Sequence, residues 1–174
     1  VQRLAEGLGA GALPAVTRFK LYGMHLGDAG ASALAAALGR GALPRLKRLA
    51  LTSADIGDAG VVALAPALRR LPALKSLNLI DNLFGDEGLA ALVAPPPTTG
   101  GLKKLEVLDL GHTQITDAGC AALTAALNNS GALPALETLT LEEIPASGAA
   151  KEAVQSALTW LPNVLPRVRR RVRV

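Results

Sequence analysis

The chain has 174 residues, of which 50% are hydrophobic but only 2% aromatic, with 18% charged and a net charge of +4. That is enough for one domain with a sizeable core of small and medium aliphatic side chains, and it excludes a disordered chain. Apolar runs are broken by charges, Gly or Pro well short of the roughly 18 residues a membrane span needs, and no stretch reads as a signal peptide. The single cysteine, Cys120, excludes an internal disulfide framework or a Cys-based zinc cluster and fits a reducing, cytoplasmic compartment.

In chain order, residues 1–13 read as a helical remnant or cap, with Leu4 and Leu8 on one face and Gly7, Gly9 and Gly11 at its exit. The chain opens in mid-repeat at Val1, as an excerpt of a longer array or a short cap would. From residue 14 to 162 one pattern recurs, starting near 14, 44, 72, 103 and 134. Each copy begins with a short strand: Val16-x-x-Phe19-x-Leu21, Leu46-x-x-Leu49-x-Leu51, Leu74-x-x-Leu77-x-Leu79, Leu105-x-x-Leu108-x-Leu110 and Leu136-x-x-Leu139-x-Leu141. Four then carry an apolar residue and Asp-x-Gly: Leu26, Asp28 and Gly30; Ile56, Asp58 and Gly60; Phe84, Asp86 and Gly88; Ile115, Asp117 and Gly119. Leucines three or four apart follow, at Leu34 and Leu38, Leu64 and Leu68, Leu89 and Leu92, and Leu123 and Leu127.

The two-residue period at the strand and the four-residue period after it predict a strand, loop and helix in each copy. The aspartates stand at the helix start, where a carboxylate accepts from free N–H groups and favours the positive end of the dipole. The Gly two positions later is expected to let the helix start approach the strand. Gly-Ala-Leu-Pro at 11–14, 41–44 and 131–134 ends a helix and launches the next strand. Pro95 to Gly101 predicts a longer loop in the third copy, and the fifth shortens around Pro145. Residues 163–174 read as a basic edge strand or tail, a strand being expected at Val168 to Val174.

The LxxLxL strands and Asp-x-Gly helices resemble leucine-rich-repeat proteins, in the helix-bearing class similar to ribonuclease inhibitor, over about residues 14–145. The resemblance implies an α/β, right-handed leucine-rich-repeat solenoid (horseshoe), with a parallel sheet on the concave face and helices on the convex face. The family commonly places Asn three residues after LxL; here Met24, Ala54, Asn82 and Thr113 stand there, so Asn82 matches and Thr113 substitutes in part.

No catalytic, metal or cofactor constellation emerges. Gly7-x-Gly9-x-Gly11 follows a helix instead of opening one, His25 and His112 lack ligand-spaced neighbours, the aspartates are equivalent caps, and Cys120 takes a small core position. Trp160 is expected to seal the C-terminal core. What remains is the sheet face turned away from the helices, which in this family commonly recognises proteins. Its rows are Arg18, Arg48, Ser76, Val107 and Thr138; Lys20, Ala50, Asn78, Asp109 and Thr140; and Tyr22, Thr52, Ile80, Gly111 and Glu142. Tyr22, Arg18, Arg48 and Ile80 are the favoured contacts, because aromatic and Arg side chains carry disproportionate interface energy.

The resemblance therefore implies a non-enzymatic scaffold binding a protein on its concave face, with no cofactor. Similar repeats also serve as sensing or GTPase-regulating regions of larger proteins. A third reading is nucleic-acid or acidic-surface binding through Arg167, Arg169, Arg170, Arg171 and Arg173; the tail lacks interleaved aromatics, so nucleic acid is disfavoured. Residues 1–75 carry ten basic and four acidic groups and residues 76–166 three and ten. A monomer is expected, with salt-sensitive head-to-tail association as a consequence of that polarity.

Overall fold

The computed structural model describes residues 13–94, 102–128, 132–159 and 171–173. The expected cap over residues 1–12, the Pro95–Gly101 loop, Trp160 and Arg167 to Arg170 lie outside the described residues. Five strand–helix units follow one another: β1 Arg18–Tyr22 and α1 Gly27–Gly39, β2 Arg48–Thr52 and α2 Asp58–Arg69, β3 Ser76–Asn78 and α3 Asp86–Val93, β4 Val107–Asp109 and α4 Asp117–Asn128, β5 Thr138–Thr140 and α5 Gly148–Thr159. A sixth strand, β6 Arg171–Arg173, closes the sheet. All pairings are parallel and the order is β1-β2-β3-β4-β5-β6, so each repeat lies beside the next and each helix packs on its neighbour. This is the α/β solenoid that the repeat implies.

The strand leucines make continuous ladders. Leu49, Leu77, Leu108 and Leu139 pair in register and are buried, as are Leu51, Leu79, Leu110 and Leu141 behind them. Leu64, Leu92 and Leu123 meet them from the helices, and Ile56, Phe84 and Ile115 fill the corner between the layers. Full burial of one such side chain stabilises by about 1.5–3 kcal/mol, and a single repeat has nothing to bury them against. Helix α3 stops at Val93, short of the proline run that replaces the leucine turn present in the other copies.

Two devices end and turn the units. After α1, Gly41 is left-handed (φ 78°) and donates to Leu38 O, while Ala42 N donates to Ala37 O, the paired bonds of a Schellman stop. After each strand the backbone turns left-handed at the same position, Gly23, Ser53, Asp81, His112 and Glu143. The four side-chain-bearing residues each carry a cost of about 1 kcal/mol there. In return, Ser53, Asp81 and His112 donate their N–H to Ile80, Gly111 and Glu142 of the following repeat, extending the ladder past the strands.

The aspartates serve helix starts in the next repeat and not in their own: Asp28 and Asp58 cap α2 and α3 directly, while Asp86 and Asp117 hold Thr116 and Ser147, whose hydroxyls accept from Ala118 N and Ala150 N at the starts of α4 and α5. Asp28 Oδ1 accepts from Gly57 N (2.8 Å) and Gly60 N (2.9 Å), and Asp58 Oδ1 from Gly85 N (2.9 Å) and Gly88 N (2.6 Å). Asp86 holds Thr116 through N (2.8 Å) and Oγ1 (2.6 Å), and Asp117 holds Ser147 through N (2.6 Å) and Oγ (2.9 Å). The reason is chemical: the N-cap residues of α2 and α3 are Gly57 and Gly85, which have no side-chain oxygen, so the neighbour supplies it. The expectation for the following glycine changes accordingly. A Cβ at Gly60 would meet Asp28 Oδ1 at 2.6 Å and Ile56 Cγ2 at 2.7 Å, and one at Gly88 would meet Asp58 Oδ1 at 2.8 Å. At Gly60, Gly88 and Gly119 the missing Cβ makes room for the preceding repeat's carboxylate, and at Gly30, Gly60 and Gly119 for the apolar residue four positions earlier, not for the strand.

Asn82 is the other tie. It is buried, donates through Nδ2 to Leu51 O (2.7 Å) and Leu79 O (2.9 Å), and accepts at Oδ1 from Ile56 N (3.0 Å) and Ala54 N (3.3 Å). Thr113 makes one local bond, to Leu110 O (2.8 Å).

Candidate functional site

The helices cover one face of the sheet and leave the other open. Two of the three expected rows stand in strand register, Arg18, Arg48, Ser76, Val107 and Thr138, and Lys20, Ala50, Asn78, Asp109 and Thr140, while the third is paired at Tyr22 and Thr52. Arg18, Lys20, Tyr22, Arg48 and Glu142 are exposed, and Thr52, Asn78, Ile80, Val107 and Asp109 half-buried. Thr140 is buried. Tyr22 is 56% exposed, a large apolar ring in water, with the Lys20 ammonium 5.9 Å from its centroid.

The middle of the face is occupied by its own hydrogen bonds. Thr52 Oγ1 donates to Asn78 Oδ1 (3.0 Å), Asn78 Nδ2 reaches Asp109 Oδ2 (3.5 Å), and Thr140 Oγ1 donates to Asp109 Oδ1 (2.7 Å). These four polar side chains brace one another across β2 to β5. Arg18, Lys20, Tyr22, Arg48, Ile80, Val107 and Glu142 take no part in this bracing.

The sheet does not grade simply from a basic first strand to an acidic last one. Register places Arg171 beside Thr138 and Arg173 beside Thr140, so β6 brings arginines to that end. The stronger segregation runs across the solenoid, between its two edges. Where strands start and helices end stand Arg18, Arg40, Arg45, Lys47, Arg48, Arg69, Arg70, Lys75, Lys103 and Lys104, against Glu106 and Glu137. Where strands end and helices start stand Asp28, Asp55, Asp58, Asp81, Asp86, Glu87, Asp117, Glu142, Glu143 and Glu152, against Lys151. Parallel helices explain part of this, since acids favour their N-termini and bases their C-termini.

Arg69 shows the helix-end role directly. Its guanidinium donates to the carbonyls of Ala91 and Ala94 (2.6 Å to the latter), closing the end that α3 leaves open by stopping early, and partial burial lowers its pKa. The strand-start cations have no such helix end to serve. Thr17, Arg18, Lys47, Arg48, Lys75, Ser76, Glu106 and Val107 line a groove of about 480 Å³ there, in which Lys75 pairs with Glu106 at 2.5 Å. The alternation rule missed Lys47 and Lys75, because they precede the strands. The signal was available as one more aligned column, Thr17, Lys47, Lys75, Glu106 and Glu137.

The remaining chemistry is structural. Cys120 is buried in the core position that Ala31, Val61 and Leu89 take in other repeats, and its thiol is pushed up by burial and then by Asp117. His25 pairs with Asp55 across the first two repeats, and the hydrogen bond and charge of Asp55 raise its pKa. His112 lines an open, polar recess of about 1110 Å³ with Glu142, Glu143 and Lys151. Among the described residues no group of His, Cys, Asp and Glu is placed to hold a metal ion, and no helix is long and apolar enough to cross a membrane.

Compared with known proteins, the Leucine Rich repeat family model matches residues 43–65, 71–93 and 101–123. No curated protein matches the sequence. Among solved structures the chain is similar to Leiomodin-1 Actin-Binding Site 2 (ABS2), at 15% identity over 91% of this chain and 84% of that one, with a TM-score of 0.63.

Proposed function

This chain is a leucine-rich-repeat protein, and from that premise we propose that it is a non-enzymatic protein-interaction scaffold of the helix-bearing, ribonuclease-inhibitor-like class, holding its partner on the open face of the sheet. The observation that carries the reading is the uncovered patch of Arg18, Lys20, Tyr22 and Arg48 on β1 and β2, continued by half-buried Ile80 and Val107. Arg and Tyr are the side chains that most often anchor interfaces, and a ring 56% exposed at the end of a strand gains most from being covered. The hydrogen-bonded middle of the face supplies a stiff floor beneath them, which lowers the ordering cost of binding. A buried thiol with a raised pKa is in keeping with a cytoplasmic, reducing setting.

The similar structure is named for an actin-binding site, which supports the idea that a solenoid of this build presents protein-binding surfaces. At 15% identity it carries the fold, not actin itself. The Arg-rich tail is a weaker candidate for binding, because Arg171–Arg173 pairs with β5 as an edge strand.

The test is a quantitative pull-down comparing the intact chain, a form lacking residues 167–174, and an Arg18→Ala/Tyr22→Ala/Arg48→Ala variant whose fold is checked by circular dichroism. A protein lost only with the triple variant supports the open face. Bound material lost only with the tail overturns it in favour of electrostatic tail binding.

A further inference from the structure

We infer that the strand-start edge over β1 to β3 docks an acidic peptide segment of its partner, one whose charge changes sign so that its acidic residues lie over Arg18, Lys47, Arg48 and Lys75 and a basic residue lies over Glu106. This deepens the scaffold reading and rests on it, since it assumes a protein partner and names the chemistry by which that partner is recognised.

Three observations converge. First, the edge is concave: the groove of about 480 Å³ runs across the starts of neighbouring strands, a shape that receives a chain segment. Second, three of its four cations are not engaged in an ion pair among the described residues. Arg18, Lys47 and Arg48 have no carboxylate partner among the described residues, whereas Lys75 is paired with Glu106. They stand on or just before adjacent strands about 4.8 Å apart, so like charges crowd one groove whose single carboxylate, Glu106, is taken by Lys75. The helix-end role that accounts for Arg69 does not extend to them, because they sit at strand starts and, among the described residues, donate to no helix-end carbonyl. Third, the sign of the row reverses. In the aligned column Thr17, Lys47, Lys75, Glu106 and Glu137, the first acid stands on the fourth repeat.

That reversal selects the occupant. A uniform polyanion such as single-stranded nucleic acid, laid along the row, gains over β1 to β3 and is repelled over β4 and β5. The groove also offers no aromatic ring on which a base could stack. A peptide can match both signs, with Asp or Glu opposite the lysines and arginines and Lys or Arg opposite the glutamates, and complementarity of this kind fixes register as well as partner.

The experiment is fluorescence anisotropy with three defined probes: a labelled peptide of three Asp/Glu followed by three Lys, the same residues in alternating order, and an oligothymidylate with three negative charges. The block peptide is expected to bind best at low salt and to weaken as salt rises. Lys47→Glu/Arg48→Glu is expected to weaken it about tenfold or more and Lys47→Gln/Arg48→Gln by less, while Tyr22→Ala/Ile80→Ala leaves it within about twofold. No binding, equal binding to the charge-reversed variant, equal binding of the alternating peptide, or tighter binding of the oligothymidylate each overturns the inference. If the peptide fails while Tyr22→Ala/Ile80→Ala still loses the pulled-down partner, the groove falls and the open face stands. Should the reversed variant not fold, the glutamine pair decides: unchanged peptide affinity in it is equally fatal.

Discussion

Replacing Asn82 by Ala is expected to be the most damaging truncation of a single polar side chain in this chain. The side chain uses its whole hydrogen-bonding capacity, and three of its partners, Leu51 O, Ala54 N and Ile56 N, belong to the preceding repeat. Leu51, Ala54 and Ile56 are all 0% exposed, so water cannot replace the lost bonds. At about 1–3 kcal/mol for each orphaned buried group, with some relaxation, the loss is about 3–6 kcal/mol. Set against a typical total of about 5–15 kcal/mol, that is enough to leave much of the population unfolded near physiological temperature. Thr113→Ala is the matched control: it stands at the equivalent position but gives up one local bond, to Leu110 O, and should cost about 1 kcal/mol. Urea unfolding followed by far-ultraviolet circular dichroism reads both. A loss below about 1 kcal/mol for Asn82→Ala, or one no larger than for Thr113→Ala, would refute the reasoning.

Asp58→Ala should cost about 1–2 kcal/mol, and amide exchange should quicken at Gly85 and Gly88 of the next repeat and not at the start of α2; quickening confined to α2 would show ordinary self-capping. Arg69→Ala should destabilise the end of α3 by about 1–2 kcal/mol, with Arg69→Lys intermediate because one ammonium cannot span both carbonyls; a neutral result in thermal melts would dismiss the cap. Cys120 should resist thiol reagents at mildly alkaline pH until urea unfolds the chain, and labelling at the rate of a free thiol would contradict its burial. His25 has its folded pKa raised above 6.5 by Asp55, so the pair adds stability below the unfolded value and loses it as pH rises through the folded one. Asp55→Asn should therefore return the His25 titration seen by NMR toward 6.5 and lower the melting temperature only on the acid side; an unmoved titration ends that account.

The fold was legible because a repeat is read five times. The LxxLxL spacing locates the strands, and aligning the copies yields the sheet register, Arg18 beside Arg48 beside Ser76. The rows of the open face followed by the same alternation. What alignment could not supply was which copy a side chain touches. Asp28 looks like a cap for its own helix because periodicity shows equivalence within a unit, whereas stacking offsets units so that its carboxylate reaches Gly57 and Gly60. The bracing of Thr52, Asn78, Asp109 and Thr140 was hidden for the same reason, since it joins different repeats. Lys47 and Lys75 were passed over because a strict in-and-out rule ends where the strand does, and the groove lies just outside it. The division of charge between the two edges appears only when helix ends and strand starts are seen to share a side; along the chain the same charges read as basic and acidic halves.

The carboxylates that close the starts of α2 and α3, and hold the capping hydroxyls of α4 and α5, give the stack a direction. A repeat is completed by the one N-terminal to it and completes the one that follows, so this part of its free energy belongs to the junction between repeats. Cutting away material from the N-terminal side exposes a helix start that had been closed, while cutting from the other side leaves every remaining start closed and one carboxylate in water. Fraying at equal burial therefore advances more readily from the N-terminal side of the stack. A block that begins at α2 or α3 keeps that helix start closed when it is cut one repeat early, whereas α4 and α5 carry a capping hydroxyl of their own.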